Sequence, residues 1–141
     1  MKVYVDSNIF VYSMFAHPEY GSACRTVTED LENGTLEGVV SALVPVEVMS
    51  VAIKHDPSKG ELAVTSVCSL PLKILGISRD ILFQAPGIAV RYNLNGYDAV
   101  HIATALEAEA RHVISNDDDL ARIREITLVK PLDYERWKES W

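Results

Sequence analysis

Short β-type runs alternate with longer helical runs along this chain, and that alternation constrains its fold more than any other feature. Lys2–Val5, Glu37–Val40, Leu72–Ile77, His112–Ser115 and Ile126–Val129 read as strands. The helical runs are Ser7 to Phe15, Glu19–Glu32, Ala42–Lys54, Glu61–Ser69, Ser78–Tyr92 and Tyr97–Ala110, then a short Asp117–Arg124 and a final helix from Leu132. Asn33-Gly34 and Asp56-Pro57 end two of them, Pro86-Gly87 is expected to divide or kink a third, and Asn95-Gly96 marks a loop. Strands separated by helices require crossovers, and crossovers make parallel strands covered on both faces. The expected fold class is therefore α/β: a three-layer α/β/α sandwich, with a mostly parallel sheet of about five strands. Residues 1–141 should form a single domain.

Composition narrows the function classes. Hydrophobic residues make up 48% and charged residues 23%, the balance of a packed soluble domain. Val39–Ile53 is interrupted by Pro45 and Glu47, and Asp98–Ala110 by His101 and two glutamates, so neither run suits a membrane span. The chain enters its first strand with no basic-plus-apolar leader, and a cytoplasmic location is expected. Cys24 and Cys68 lie far apart with no Cys or His at ligand spacing, which points to two buried thiols rather than a zinc site or disulfide. A net charge of −7 argues against bulk electrostatic capture of nucleic acid. Carboxylates clustered around divalent cations are the exception, because a loaded site is locally positive in an acidic protein.

Most acidic residues sit among other polar ones and read as solvated helix faces; four do not. Asp6 follows the apolar run Val3–Val5 and opens a helix, so it is either a ligand at the sheet's carboxyl edge or an N-cap, with Ser7 able to cap in its place. Glu47 is the only acid between Gly38 and Ile53, in a helix that reads as apolar all round. It needs a cation, a metal or hydrogen-bond donors, and Lys54 is two turns away. Asp98 opens the alanine-rich helix with His101, Ile102 and Ala105 on its face; His101 reads as a packing residue rather than a ligand. Ser115-Asn116-Asp117-Asp118-Asp119 leaves the fourth strand with three consecutive acids. Asp117 should point inward, Asp118 into solvent, and Asp119 either way. Together Asp6, Glu47, Asp98 and Asp117 can converge on one sheet edge and hold one or two Mg²⁺ or Mn²⁺ ions.

With these residues in place the sequence resembles the PIN-domain family of metal-dependent ribonucleases, which includes the toxins of VapBC-type toxin–antitoxin pairs. The resemblance rests on Val5-Asp6-Ser7-Asn8, on Ser41 followed by Glu47, on Asp98-Ala99-Val100-His101-Ile102-Ala103-Thr104-Ala105, and on Ser115-Asn116-Asp117 before Asp119-Leu120. It implies an endoribonuclease in which Asp6, Glu47, Asp98 and Asp117, with Asp119, hold Mg²⁺ or Mn²⁺, and an activated water cuts the RNA phosphodiester. Asn8 and Ser115 would orient the carboxylates or their waters. An RNA substrate, an antitoxin whose tail puts a basic side chain into the acidic pocket, and a homodimer are implied as partners. Arg122 and Arg124, just past the acidic turn, are candidate phosphate contacts.

The alternative within the family is a catalytically silent module that binds RNA or protein. Two other α/β enzyme families lack a central residue here. A haloacid-type phosphatase needs a second Asp where Asn8 stands, and a receiver domain needs an Asp after its third strand, where the chain reads Leu75-Gly76-Ile77.

Overall fold

The structure, a computed structural model, describes residues 1–141. Five strands, β1 (Lys2–Val5), β2 (Glu37–Ser41), β3 (Lys73–Leu75), β4 (His112–Ile114) and β5 (Thr127–Val129), form one sheet in the order β3-β2-β1-β4-β5. Every pairing is parallel, with Tyr4 beside Val39 on one side and Val113 on the other. From central β1 the order runs out to β2 and β3, then restarts on the other flank with β4. The crevice beyond the carboxyl ends of β1 and β4 is thus a topological switch point, where open α/β sheets place ligands.

Side chains alternate across β1, and the two layers follow from that alternation. Val3 and Val5 face α1 (Ser7–Met14), α2 (Gly21–Glu32), α3 (Leu43–His55), α4 (Gly60–Cys68) and Tyr134. Tyr4 faces the opposite way, toward α5 (Arg79–Tyr92) and α6 (Gly96–Glu107). Each fully buried Val or Ile in these layers contributes about 1.5–3 kcal/mol. In β2, Gly38 lets the second layer element close in: a Cβ there would stand 2.5 Å from the Leu31 side chain and 2.6 Å from that of Leu72.

The last helix, α7 (Tyr134–Glu139), is pinned by a buried polar knot. The Tyr134 hydroxyl donates to Asp30 Oδ2 at 2.6 Å, and Lys138 Nζ donates to the same oxygen at 2.9 Å. Burial alone would raise Asp30, but these two donors outweigh it and hold its carboxyl below the ordinary range. Tyr134→Phe removes a charge-assisted bond inside the fold and is expected to cost about 1.5–3 kcal/mol in urea unfolding. A loss under about 0.5 kcal/mol would show that the knot contributes nothing. Because Asp30 is depressed, its contribution is complete above the ordinary carboxylate value and fades as pH falls through the lower one.

Several expectations are corrected. α5 runs unbroken through Pro86-Gly87. Ile81, Ala85, Ile88 and Tyr92 anchor its inner face, and Leu82, whose carbonyl Pro86 cannot bond, lies on the exposed side. α3 is not buried all round, because Val46, Ser50 and Ile53 face outward. Asn95 caps α6 through the Asp98 N–H instead of lying in a free loop. Asp118–Arg122 is a single 3-10 turn rather than a helix reaching Arg124. Cys24 is buried, and burial pushes its thiol up to about 12, whereas Cys68 at the end of α4 is exposed; neither forms a disulfide. No helix is long and apolar enough to cross a membrane.

Candidate metal centre

β1 ends at Val5 and delivers Asp6 to the switch point, where the Asp6 N–H still pairs with the Ile114 carbonyl at 3.0 Å. Asp6 itself, not Ser7, caps α1: Oδ1 accepts from the Ser7 N–H at 2.8 Å. Ser7 cannot be the cap because it is already the first helical residue, while Asp6 keeps extended backbone (φ −77°, ψ 157°). The second oxygen is free of that task. Oδ2 accepts from Ser115 Oγ at 2.6 Å and from Asn8 Nδ2 at 3.3 Å. One side chain therefore caps α1 with one oxygen and ties Asn8 and Ser115 to the crevice with the other, and it is only 7% exposed.

Asn8 and Ser115 lock the neighbouring loop to Asp6. Asn8 Nδ2 also donates to Ser115 Oγ at 3.2 Å, and Asn8 Oδ1 accepts from the Asn116 N–H at 3.1 Å. Ser115 Oγ accepts from the Asp117 N–H at 3.1 Å, which fixes where Asp117 leaves β4. Asp117 Oδ1 caps the following turn through the Asp119 N–H at 2.9 Å. The Asp119 carboxylate is exposed and makes no bond to the group, and exposed Asp118 pairs with Lys130. The only buried side-chain oxygen or nitrogen without a partner, Asn116 Oδ1, belongs to this same loop.

Glu47 and Asp98 arrive from opposite layers. α3 starts just after β2, which puts Glu47 little more than one turn above the sheet edge, and α6 begins at that edge with Asp98 in its first turn. Glu47 finds its partner across the edge: His101 Nε2 donates to Glu47 Oε1 at 2.6 Å. His101 Nδ1 shares a 2.6 Å hydrogen bond with the Tyr4 hydroxyl, which accepts from the Ser41 N–H at 3.1 Å. Burial alone would lower His101; the Glu47 bond and the charges of Asp6, Glu47 and Asp98 outweigh it and hold the imidazole above its ordinary value. The expectation that His101 is a packing residue holds in part. It is 3% exposed, yet it is also the donor that positions Glu47.

Sequence reading missed this chain of Tyr4, His101 and Glu47 because it sought Glu47's partner on its own helix. The available signal was period two in β1 and period three in α6. Tyr4 is the one polar-tipped residue inside β1, with Val3 and Val5 on either side of it, and His101 lies one turn past Asp98.

The electrostatics show convergence. Asp98 is raised to about 6, first by burial, then by the charges of Asp117 and Asp6 and more weakly Glu47, against the opposing His101. Asp6, Glu47 and His101 bring ligand atoms within 4.8 Å of one another. Both His101 nitrogens are already engaged, so the donors left facing the crevice are carboxylate oxygens. None of Asp6, Glu47, Asp98, Asp117 or Asp119 has a Lys or Arg ion pair. Mutually repelling oxygen donors without a Lys or Arg partner fit a hard divalent cation such as Mg²⁺ or Mn²⁺.

A five-stranded parallel sheet with acids gathered at its switch point defines a class of α/β proteins with an acidic carboxyl-edge site. Within it the assignment is direct: the PIN domain profile matches residues 3–126, and the chain belongs to the PIN-domain family. The fold is shared with solved structures. A toxin–antitoxin complex from Klebsiella pneumoniae aligns over 92% of this chain and 97% of its own, with 23% identity and a TM-score of 0.67. VapBC2 from Rickettsia felis, bound to a DNA fragment from its promoter, aligns over 92% and 98%, with 18% identity and a TM-score of 0.72. VapC20 of Mycobacterium tuberculosis, a toxin that cleaves the sarcin-ricin loop, aligns over 88% and 98%, with 14% identity and a TM-score of 0.70. No curated protein matches the chain in sequence.

Proposed function

We propose that the chain is a metal-dependent endoribonuclease, the toxin of a toxin–antitoxin pair, with Asp6, Glu47, Asp98 and Asp117 as its catalytic and metal-holding residues. The observation that supports the reading is geometric: Asp6, Glu47 and His101 bring ligand atoms within 4.8 Å of one another, and Asp98 beside them is raised first by burial and then by the charges of Asp117 and Asp6. A retired site would have little reason to keep four repelling carboxylates at one edge, which weighs against the silent-module alternative.

Asp6 Oδ2 and the carboxylates of Glu47, Asp98 and Asp117 would hold one or two Mg²⁺ or Mn²⁺ ions. Such an ion polarises a phosphoryl oxygen and lowers the pKa of a water at neutral pH. The side chains supply the rest. Asn8 and Ser115 keep Asp6 Oδ2 aimed at the crevice, and His101 keeps Glu47 from swinging into solvent. Asp98, neutral in part near pH 6 without metal, becomes fully charged when a cation offsets its neighbours.

Purified protein is expected to cut RNA in Mn²⁺ or Mg²⁺ and to stop in EDTA. It should also melt several degrees higher in millimolar Mn²⁺, since a ligand at 100 times its Kd adds about 2.7 kcal/mol. No cleavage of any RNA with an unmoved melting temperature would reject the reading.

An antitoxin is the proposed protein partner, suited to place a basic side chain among the acids; the Klebsiella pneumoniae and Rickettsia felis relatives are themselves such complexes. A homodimer and a cytoplasmic location complete the proposal. The homodimer is supported by α5, which presents Leu82, Phe83, Pro86 and Val90 outward at helical spacing, with Phe83 79% and Val90 85% exposed. Phe83→Asp is expected to convert a dimer to monomer in light scattering at micromolar concentration, and an unchanged mass would exclude this face.

A further inference from the structure

Four of the thirteen Lys and Arg residues gather around a single acid, Glu125. Arg91 Nη1 donates to Glu125 Oε1 at 2.9 Å, the Tyr92 hydroxyl donates to Oε2 at 2.6 Å, and Arg111 Nη1 donates to the Glu125 carbonyl at 3.2 Å. Arg122 reaches the other way: Nε and Nη2 donate to the Tyr92 carbonyl at 3.0 and 2.7 Å and close the end of α5. The Arg124 guanidinium makes no hydrogen bond or ion pair; only its N–H is used, toward the Tyr92 hydroxyl at 3.4 Å. Arg91, Tyr92, Arg122, Arg124 and Glu125 line a concavity of about 480 Å³. Three arginines and one glutamate thus line one concavity, an excess of positive charge in a chain whose net charge is −7.

The concavity is tied to the acidic crevice by two short segments. Asn93, which accepts from Arg122 Nη2 at 3.4 Å, stands five residues before Asp98, and Arg122 stands five residues after Asp117. Five residues span at most about 18 Å when fully extended. Its rim therefore lies within that reach of two of the four site acids.

From this geometry we infer that the concavity seats the phosphodiester backbone of single-stranded RNA along its path to the acidic crevice, within about 18 Å of the position that is cut. Arg91 and Arg124 make the phosphate contacts, and Arg122 holds the rim in shape. The inference rests on the ribonuclease reading above and adds the path of the substrate. Guanidinium forks match phosphate oxygens in a way that point charges do not. Arg91 is mostly exposed and its pair with Glu125 is of the weak surface type, so a phosphate can take over the guanidinium while Glu125 keeps it placed in the free protein. Arg124 has nothing to give up. A polyanion with regularly spaced charges can occupy this seat and the loaded metal centre together. An acidic protein patch lacks that spacing.

The test is fluorescence anisotropy of a labelled single-stranded oligoribonucleotide, in EDTA and across a salt series, paired with KM and kcat for cleavage in Mn²⁺. Arg91→Ala/Arg124→Ala should weaken binding by about tenfold and flatten the slope of log affinity against log salt by about 1.4, the value for two phosphates on a single strand. KM should rise and kcat should change little. Glu125→Gln, which keeps the framework and removes the opposing charge, should tighten binding. Arg136→Ala on α7 is the control for a lost surface charge, and circular dichroism melts confirm folding. Affinity and salt slope left at wild-type values in the double variant, or a loss equal to that of Arg136→Ala, would overturn the seat. The two readings fail separately. Arginine-dependent binding by a wild-type protein that cuts nothing leaves the seat and rejects hydrolysis, whereas cleavage with an unchanged KM in the double variant rejects the seat alone.

Discussion

Asp6→Asn combined with Asp98→Asn is expected to lower Mn²⁺-supported RNA cleavage by about 10³-fold or more, since loss of even one group stabilising charge in the transition state costs about 10²–10³. The double variant should also lose the rise in melting temperature with Mn²⁺. It should not lose the fold. Asn at position 6 keeps an oxygen for the Ser7 N–H and gives up only the bonds that Oδ2 accepts from Ser115 and Asn8, while Asn at position 98 relieves a carboxyl pushed to about 6 by burial and by Asp117 and Asp6. The sign for Asp98 follows from that shift. Its folded pKa is raised from 3.8, so the stability linked to its protonated form is complete below 3.8 and is lost as pH climbs through about 6. Asp98→Asn should flatten this pH dependence in the metal-free protein. Protons and metal compete for the same carboxyl, so Mn²⁺ affinity should weaken as pH falls below about 6. Cleavage surviving in the double variant would place the chemistry elsewhere.

Tyr4→Phe carries the largest expected effect on stability. The hydroxyl it removes serves two buried groups, the Ser41 N–H at 3.1 Å and His101 Nδ1 at 2.6 Å. Each buried partner left unpaired costs about 1–3 kcal/mol, so the two together cost about 2–6 kcal/mol in urea unfolding without metal. For a domain of this size that corresponds to roughly 10 °C or more in melting temperature. His101→Phe should cost a similar amount, and the double variant should cost less than the two added together, because one chain of hydrogen bonds is broken in each case. Activity should fall as well in His101→Phe, since Glu47 loses the donor that positions it. A change in Tyr4→Phe below about 0.5 kcal/mol would show that the chain through His101 does not order the site.

Much of the architecture was legible because it depends on local signals that tertiary context rarely reverses. Five apolar β runs separated by helical ones leave little but a parallel sheet between helical layers, and the sheet is parallel throughout. Asp6, Glu47, Asp98 and Asp117 stood out because an acid in an apolar setting needs a reason, and the same four couple electrostatically in the fold. Asp119 did not follow them inward, because its turn spends the Asp119 N–H on Asp117 and leaves its carboxylate in solvent. Arg122 illustrates the opposite failure. Its spacing after the acids suggested a phosphate contact, but most of its donors end α5 at Tyr92, a residue thirty positions away.

By itself the sequence determined the alternation of elements, the carboxylates at strand exits and helix starts, and the family to which they belong. Those properties are written in neighbours along the chain. Only the tertiary structure decided that Asp6 caps α1 with one oxygen and binds Ser115 with the other, that Glu47 is steadied by His101 from the opposite layer, and that scattered arginines meet around Glu125. The reason is physical: which hydrogen-bond partner a buried polar group finds depends on which surfaces the sheet brings together, and a crossover fold joins residues 54 and 97 positions apart as readily as adjacent ones.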